Sequence, residues 1–248
     1  MQVKVITLWV QKDGNDSHEN DDAFDSNPRT LRFAVADGAT ESSFAQRWAR
    51  LLVEGFVEDP LRANSYQAIR DWLSPLQDRW YRSIQWEDLS WYAEMKARLG
   101  AFSSLVGLEV KYGGQWYAIA VGDSCLFHIR GDKCIRAFPL KQSGQFNSSP
   151  VLLSSNQSNN ANIVAHVQQV HGDCSEGDYF LLMTDALAQW FLKELEVKRK
   201  PWDDLCACDT DAKFHAFVEH LRDTKQIRND DTTLLRVDIL STSQPKTP

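Results

Sequence analysis

The chain has 248 residues, 43% of them hydrophobic, which suits one large domain or two small ones with a sizeable core. Its formal charge of -7 lacks the cationic field that a nucleic-acid backbone demands, and clustered acids would instead suit bound divalent cations. Five scattered cysteines, Cys125, Cys134, Cys174, Cys206 and Cys208, make neither a disulfide framework nor a four-ligand zinc spacing, so a reducing cytosol is expected.

Met1 to Val10 carries one lysine and a short apolar run broken at Gln11-Lys12-Asp13. That is too short and interrupted for an export signal or a membrane span, so a cytoplasmic protein without a membrane partner is expected. Val3 to Val10 alternates as a strand does. A polar loop follows and ends in Glu19-Asn20-Asp21-Asp22-Ala23-Phe24, acids set against an apolar pair. Next, Phe33-Ala34-Val35-Ala36 delivers Asp37 to Gly38 at the mouth of a buried strand, where a carboxylate can serve as a metal ligand or simply shape a tight turn. The two acidic stretches fall on neighbouring strands of an expected hairpin, which would let distant carboxylates share one cation.

Glu41 is expected to open a helix whose apolar face is Phe44, Trp48, Leu51, Leu52 and Phe56, stopped at Asp59-Pro60. A helical pattern continues from Ser65 to Leu99, with a break at Ser74-Pro75, where serine offers an N-cap and proline the first helical position. Trp72, Trp80, Trp86 and Trp91 lie there and are read as core rather than as base-stacking groups. After Gly100, short apolar runs over 102–110, 115–121, 125–130 and 133–138 alternate with glycine turns, an antiparallel meander. Within it Ala118-Ile119-Ala120-Val121 leads to Gly122-Asp123-Ser124, again an acid after an apolar run.

Lys141 to Asn162 is polar and irregular, of a length that signals a functional or disordered loop. Ile163 to Val170 is a strand candidate. Tyr179 to Thr184 is a fully apolar strand that delivers Asp185 to a helix over 186–196, where that aspartate could equally be the N-cap. A last amphipathic helix over 209–224 precedes Asn229-Asp230-Asp231-Thr232-Thr233 and a closing strand to Leu240. No repeat or Gly/Pro-rich boundary divides the chain, so a single domain over 1–240 is expected, with a frayed tail over 241–248.

Acids thus end apolar strands at Asp21-Asp22, Asp37, Asp123, Asp185 and Asp230, and one pocket of hard oxygen ligands would explain all five. Without paired Cys or His, such ligands favour Mg²⁺ or Mn²⁺ over zinc. The ordered set resembles the metal-dependent Ser/Thr protein phosphatases of the 2C type, the PPM family. Six stretches carry the resemblance: Asp21-Asp22-Ala23-Phe24, Val35-Ala36-Asp37-Gly38, Gly100-Ala101-Phe102-Ser103-Ser104, Val121-Gly122-Asp123-Ser124, Leu181-Leu182-Met183-Thr184-Asp185-Ala186 and Asp230-Asp231-Thr232-Thr233.

The resemblance implies an α+β fold: a four-layer α-β-β-α sandwich, two antiparallel sheets face to face with helices on both outer faces. It also implies a dinuclear Mn²⁺ or Mg²⁺ site bound by Asp22, Asp37, Asp185 and Asp230, the Gly38 carbonyl and Asp21, with Asp123 at a weaker third position. Asp37, Asp22 and Asp185 would carry the catalytic roles. The implied activity is hydrolysis of phosphoserine and phosphothreonine on a phosphorylated protein substrate, by water whose pKa the paired ions lower. A monomer is expected.

The sequence also departs from the family. Where an arginine usually holds the phosphate stand Asp16, Ser17 and His18, so His18 is the candidate phosphate donor, with Lys12 and Arg29 as others in reach. Thr40 and Glu41 replace a histidine that some members use as a proton donor. Ala186, Gln189 and Asp231 stand for the usual glycine, acid and asparagine. Two further readings follow from these departures: an inactive fold that binds phosphorylated partners as a sensor, and a phosphohydrolase acting on small molecules or nucleotides.

Overall fold

The computed structural model describes residues 1–63, 65–147 and 149–241. The run from Phe33 to Ala36 shows how the layers arise. Alternate side chains of a strand point to opposite faces. Ala34 and Ala36 pack against Trp48, Leu52 and Phe56 on one side, while Phe33 and Val35 join Val106, Leu108, Phe180, Leu182 and Val237 on the other.

The strands are β1 (Gln2–Val10), β2 (Asp22–Asn27), β3 (Arg32–Asp37), β4 (Phe102–Ser103), β5 (Leu105–Val110), β6 (Gln115–Val121), β7 (Cys125–Arg130), β8 (Lys133–Phe138), β9 (Leu153–Ser154), β10 (Gln168–Asp173), β11 (Tyr179–Met183) and β12 (Thr232–Ser241). Two sheets run in the orders β1-β12-β11-β7-β8 and β10-β6-β5-β3-β2, and β4 pairs with β9 beside them. Neighbours are antiparallel, but the expected meander is split: β5 pairs with β6 in one sheet and β7 with β8 in the other, because the Gly122-Asp123 turn carries the chain across from sheet to sheet.

Among the described residues, six α-helices flank the sheets: α1 (Ala45–Glu58), α2 (Tyr66–Arg82), α3 (Trp91–Arg98), α4 (Asp185–Glu196), α5 (Pro201–Ala207) and α6 (Asp211–Asp223). Residues of α1 and α2 pack on the sheet that holds β3. Phe191 of α4, Trp202 of α5 and Phe214 of α6 pack on Phe127, Leu181 and Met183 of the other sheet. Three apolar layers therefore separate four layers of backbone, the α-β-β-α arrangement that the resemblance implies.

Several elements differ from the sequence expectations. Helix α2 runs unbroken through Pro75, because its buried face of Ile69, Leu73, Leu76 and Trp80 anchors the helix on both sides of the proline. The serine caps are Ser65, whose hydroxyl accepts from the Ala68 amide at 3.1 Å, and Ser90, which accepts from Ala93 at 3.3 Å. Helix α1 starts at Ala45 rather than Glu41, since Ala39 to Ser42 is tied in a turn (2.8 Å) and Phe44 sits at φ 60° before the helix. The first residues of the expected strand from Ile163 form a 3-10 turn over Ile163–His166, pinned by buried Ile163, and the strand begins at Gln168. Trp80 is core as expected, but Trp91 is 75% exposed, because α3 buries only Ala97. The expected tail beyond Ser241 lies outside the described residues.

Candidate metal and phosphate site

The site is built at one end of the sandwich by strand ends from both sheets. Strands β2 and β3 pair so that Asp22 is the register partner of Asp37, which brings the predicted acidic pair beside the predicted Asp-Gly turn. Gly38 then passes so close to its neighbours that a Cβ there would lie 2.7 Å from the Asp21 carbonyl oxygen and 3.0 Å from the Ala45 carbonyl carbon. Only glycine fits. The Gly38 amide donates to the Asp21 carbonyl at 3.2 Å, which fixes the two turns to one another.

The stretch from Gly100 to Ser104 supports Asp37 from behind. The Ser104 amide and the Ser103 hydroxyl both donate to the Asp37 carbonyl at 2.8 Å, and the Asp37 amide donates to the Ser104 hydroxyl at 3.1 Å. Ser104 in turn shares a hydrogen with Ser124 at 2.5 Å, which ties the β6–β7 turn carrying Asp123 to the same scaffold. Gly122 makes that turn at φ +91°, where a Cβ would also meet the Ser104 side chain.

On the opposite sheet, β11 ends at Met183, Thr184 follows as the N-cap of α4, and Asp185 is the first helical residue. The N-cap alternative for Asp185 is therefore not realised. Thr184 links the sheets: its hydroxyl donates to Asp22 Oδ2 at 3.0 Å and accepts from the Thr233 amide at 3.0 Å. Asp231 performs a similar task with both oxygens, accepting from the Lys12 amide at 2.7 Å and the Asp21 amide at 2.8 Å. It is a bracket that joins three segments, a role that the expected Asp/Asn position did not disclose.

Asp37, Asp123 and Asp185 each present an oxygen within 4.8 Å of the other two. They open onto a cavity of about 300 Å³ that Gly38, Asp230 and Arg228 also line. Asp22 lies buried beneath, with Oδ1 lacking any hydrogen-bond donor, as does Oδ1 of Asp185. Burial raises the carboxyls of Asp22, Asp37 and Asp123 above the usual range; Asp231 adds to the effect at Asp22, and Asp22, Asp123 and Asp230 add to it at Asp37. Asp21 is pushed up to about 6 by burial and by the charges of Asp231 and Asp230. Buried acids repelling one another, two with an idle oxygen, are under-compensated, and a divalent cation is what would compensate them. The donors are all oxygen, which suits Mn²⁺ or Mg²⁺.

Arg228 supplies part of that compensation. It pairs with Asp185, and its Nε lies 2.9 Å from Asp230 Oδ2. Sequence reasoning missed it. Its signal was a lone cation two residues before Asp230, in Ile227-Arg228-Asn229. The long polar segment also reaches the site: Asn147, Ser149, Pro150 and Leu152 line the cavity, so it is a site loop. His18, by contrast, stands exposed on the 3-10 turn Ser17–Glu19 and is not among the residues lining the cavity. Lys12 and Arg29 are not among them either.

Comparisons with known proteins agree with this architecture. The serine/threonine phosphatase PstP/Ppp of Mycobacterium tuberculosis superposes with a TM-score of 0.65 at 14% identity, over 97% of this chain and 100% of that one. A PstP catalytic domain crystallised in complex with two manganese ions gives 0.63 at 14% identity, over 96% and 99% of the two chains. PppA, described as a key regulatory component of T6SS in Pseudomonas aeruginosa, gives 0.55 at 18% identity, over 96% and 98%. At these identities the likeness speaks for the fold. No curated protein matches the chain. The family model described as protein phosphatase 2C matches residues 14–233, most of the chain and all six of its motifs, and the chain belongs to that family.

Proposed function

We propose that this chain, a single domain over residues 1–240, is a metal-dependent phosphatase that removes phosphate from serine and threonine side chains of proteins. The observation that carries the reading is the convergence of Asp37, Asp123 and Asp185 at an open cavity, above Asp22 with its idle oxygen. Asp22, Asp37, Asp185 and Asp230, the Gly38 carbonyl and Asp21 would hold two Mn²⁺ or Mg²⁺ ions, and Asp123 a weaker third. When bound, such a pair lowers the pKa of water and neutralises phosphoryl oxygens.

The chain's own residues set the stage for that chemistry. Thr184 holds Asp22 by one oxygen and leaves the other free. Ser103 and Ser104 fix the backbone of Asp37. The Arg228 guanidinium, half exposed at the cavity, has the planar fork that pairs with phosphoryl oxygens, which makes it a better-placed phosphate partner than His18. No described helix is long and apolar enough to cross a membrane.

Manganese titration of the purified protein, with release of phosphate from phosphoserine and phosphothreonine peptides as readout, tests the reading. Saturable, metal-dependent turnover that disappears in Asp37→Ala and Asp185→Ala, both still folded by circular dichroism, supports it; full activity in those variants would sink it. The pairing of Arg228 with Asp185 and Asp230 favours a second reading, a sensor that binds phosphorylated partners without turnover. Phosphopeptide binding with no phosphate release at saturating manganese would select that reading.

A further inference from the structure

Helix α3 is oriented against the usual logic of an amphipathic helix. Trp91, Tyr92, Met95 and Leu99 are 75%, 61%, 51% and 65% exposed. Trp91, Met95 and Leu99 follow one another at i, i+4 and i+8, so they form a stripe along one face. Apolar side chains scattered over a surface are ordinary, but a contiguous row marks a place where something docks.

The row ends at a groove of about 510 Å³ that Leu99 and Lys96 line together with Phe102 and with Val151 and Leu152 of the long loop. This groove is not separate from the candidate site. Ala39, Glu41, Pro150 and Leu152 line both the groove and the acidic cavity. Pro150 and Leu152 thus connect the acidic cavity to the groove. Lys96 and Glu41 on the rim make no ion pair with a described residue, and Lys96 is exposed.

We propose that this groove is a substrate-selection site. It takes the segment of phosphoprotein next to the phosphorylated residue, seating an apolar side chain between Leu99 and Val151 and placing an acidic residue against Lys96. The proposal rests on the phosphatase reading above, and it names the substrate class as phosphorylated serine or threonine flanked by an apolar and then an acidic residue.

The test compares phosphopeptides that carry leucine and then glutamate, or glycine and then lysine, on either side of phosphothreonine, alongside a small aryl phosphate that fills the cavity alone. Leu99→Asp and Lys96→Glu are the variants; both positions are exposed, so folding is not at stake. Wild type is expected to prefer the leucine–glutamate peptides by about tenfold in kcat/KM, the scale of burying part of one apolar side chain. Each variant should erase that preference through KM while leaving aryl phosphate hydrolysis unchanged. Equal turnover of all peptides, or variants without effect on the preference, overturns the groove but leaves the phosphatase reading standing if aryl phosphate is hydrolysed. Should no substrate turn over, peptide binding followed by fluorescence anisotropy replaces kinetics: preference lost in Leu99→Asp supports the groove, and indifference overturns it. A dimer in sedimentation that Leu99→Asp dissolves, with peptide selection unaltered, would assign the stripe to a second copy of the chain and also overturn the proposal.

Discussion

Arg228 and Asp230, two residues apart in the chain, face each other across 2.9 Å at the mouth of the acidic cavity, and the same guanidinium reaches Asp185 on the other wall. An arginine that bridges two candidate metal ligands competes with any cation that needs them. Arg228→Ala should therefore bind manganese more tightly in calorimetry, while losing about tenfold in KM for a phosphopeptide because the fork that holds phosphate is gone. Unchanged KM and unchanged metal affinity would reduce Arg228 to a surface ion pair. Arg228→Lys should recover charge but not the two-point geometry, and so only part of the effect.

The acids predict a pH dependence whose sign can be worked out. Burial and mutual repulsion raise Asp22, Asp37 and Asp123 above their unfolded values, and Asp21 to about 6 from its ordinary 3.8. The unfolded chain thus gives up its protons first as pH rises, so the metal-free fold loses stability from about pH 4 upward, through 6 and beyond. Differential scanning fluorimetry of metal-free protein should show Tm falling between pH 5 and 7. Added Mn²⁺ should reverse the fall, most strongly at the higher pH, because it binds the ionised acids of the folded state. Asp37→Asn should raise the metal-free Tm at pH 7 and remove most of the manganese response. A metal-free Tm that climbs with pH over this window would contradict the electrostatic account.

Asp231 offers a test of scaffold as distinct from chemistry. Its two oxygens take the amides of Lys12 and Asp21, so Asp231→Ala strands two backbone donors in a partly buried place. A cost of about 2–6 kcal/mol by urea denaturation is expected, at roughly 1–3 kcal/mol for each unsatisfied group. Because Asp21 and Asp22 are positioned by the same bracket, metal affinity should fall as well. Loss of stability with metal binding intact would separate Asp231 from the site.

Gly38→Ala places a methyl 2.7 Å from one backbone oxygen and 3.0 Å from a backbone carbon, neither of which can swing aside. The β2–β3 end and the start of α1 must separate to admit it. The expected result is a loss of about 1–3 kcal/mol in stability, the usual range for overpacking, and failure to bind manganese. Wild-type metal affinity in this variant would show that the two turns are not coupled.

Much of this could be read in advance because period-two strands and glycine turns leave local marks. The apolar runs at Phe33 to Ala36, Ala118 to Val121 and Tyr179 to Met183 marked strands and the acids at their ends, whereas the Gly122 turn, legible only as a hairpin, passes the chain between the two sheets. Pro75 misled because helix continuity there is decided by packing at Leu73 and Leu76, not by the proline's own preference. Trp91 misled for the complementary reason: a tryptophan's burial depends on which face its helix turns inward, and α3 turns Ala97 inward. Arg228 and Asp231 were invisible as site-builders since their partners, Asp185, Lys12 and Asp21, are distant in sequence. The long polar segment announced a loop by composition, but its approach to the cavity through Pro150 and Leu152 depends on the third dimension.

The pairing of Asp22 with Asp37 in the β2–β3 ladder has a consequence at the far end of that hairpin, where Pro28 to Leu31 turn the chain. Adding or removing one residue there, if absorbed by slippage of the strands, would send every side chain of the shifted strand to the opposite face and carry one aspartate away from its mate. The length of a surface turn remote from the acids is thereby constrained along with their identity, and the hairpin works as a ruler whose zero mark is the candidate metal site.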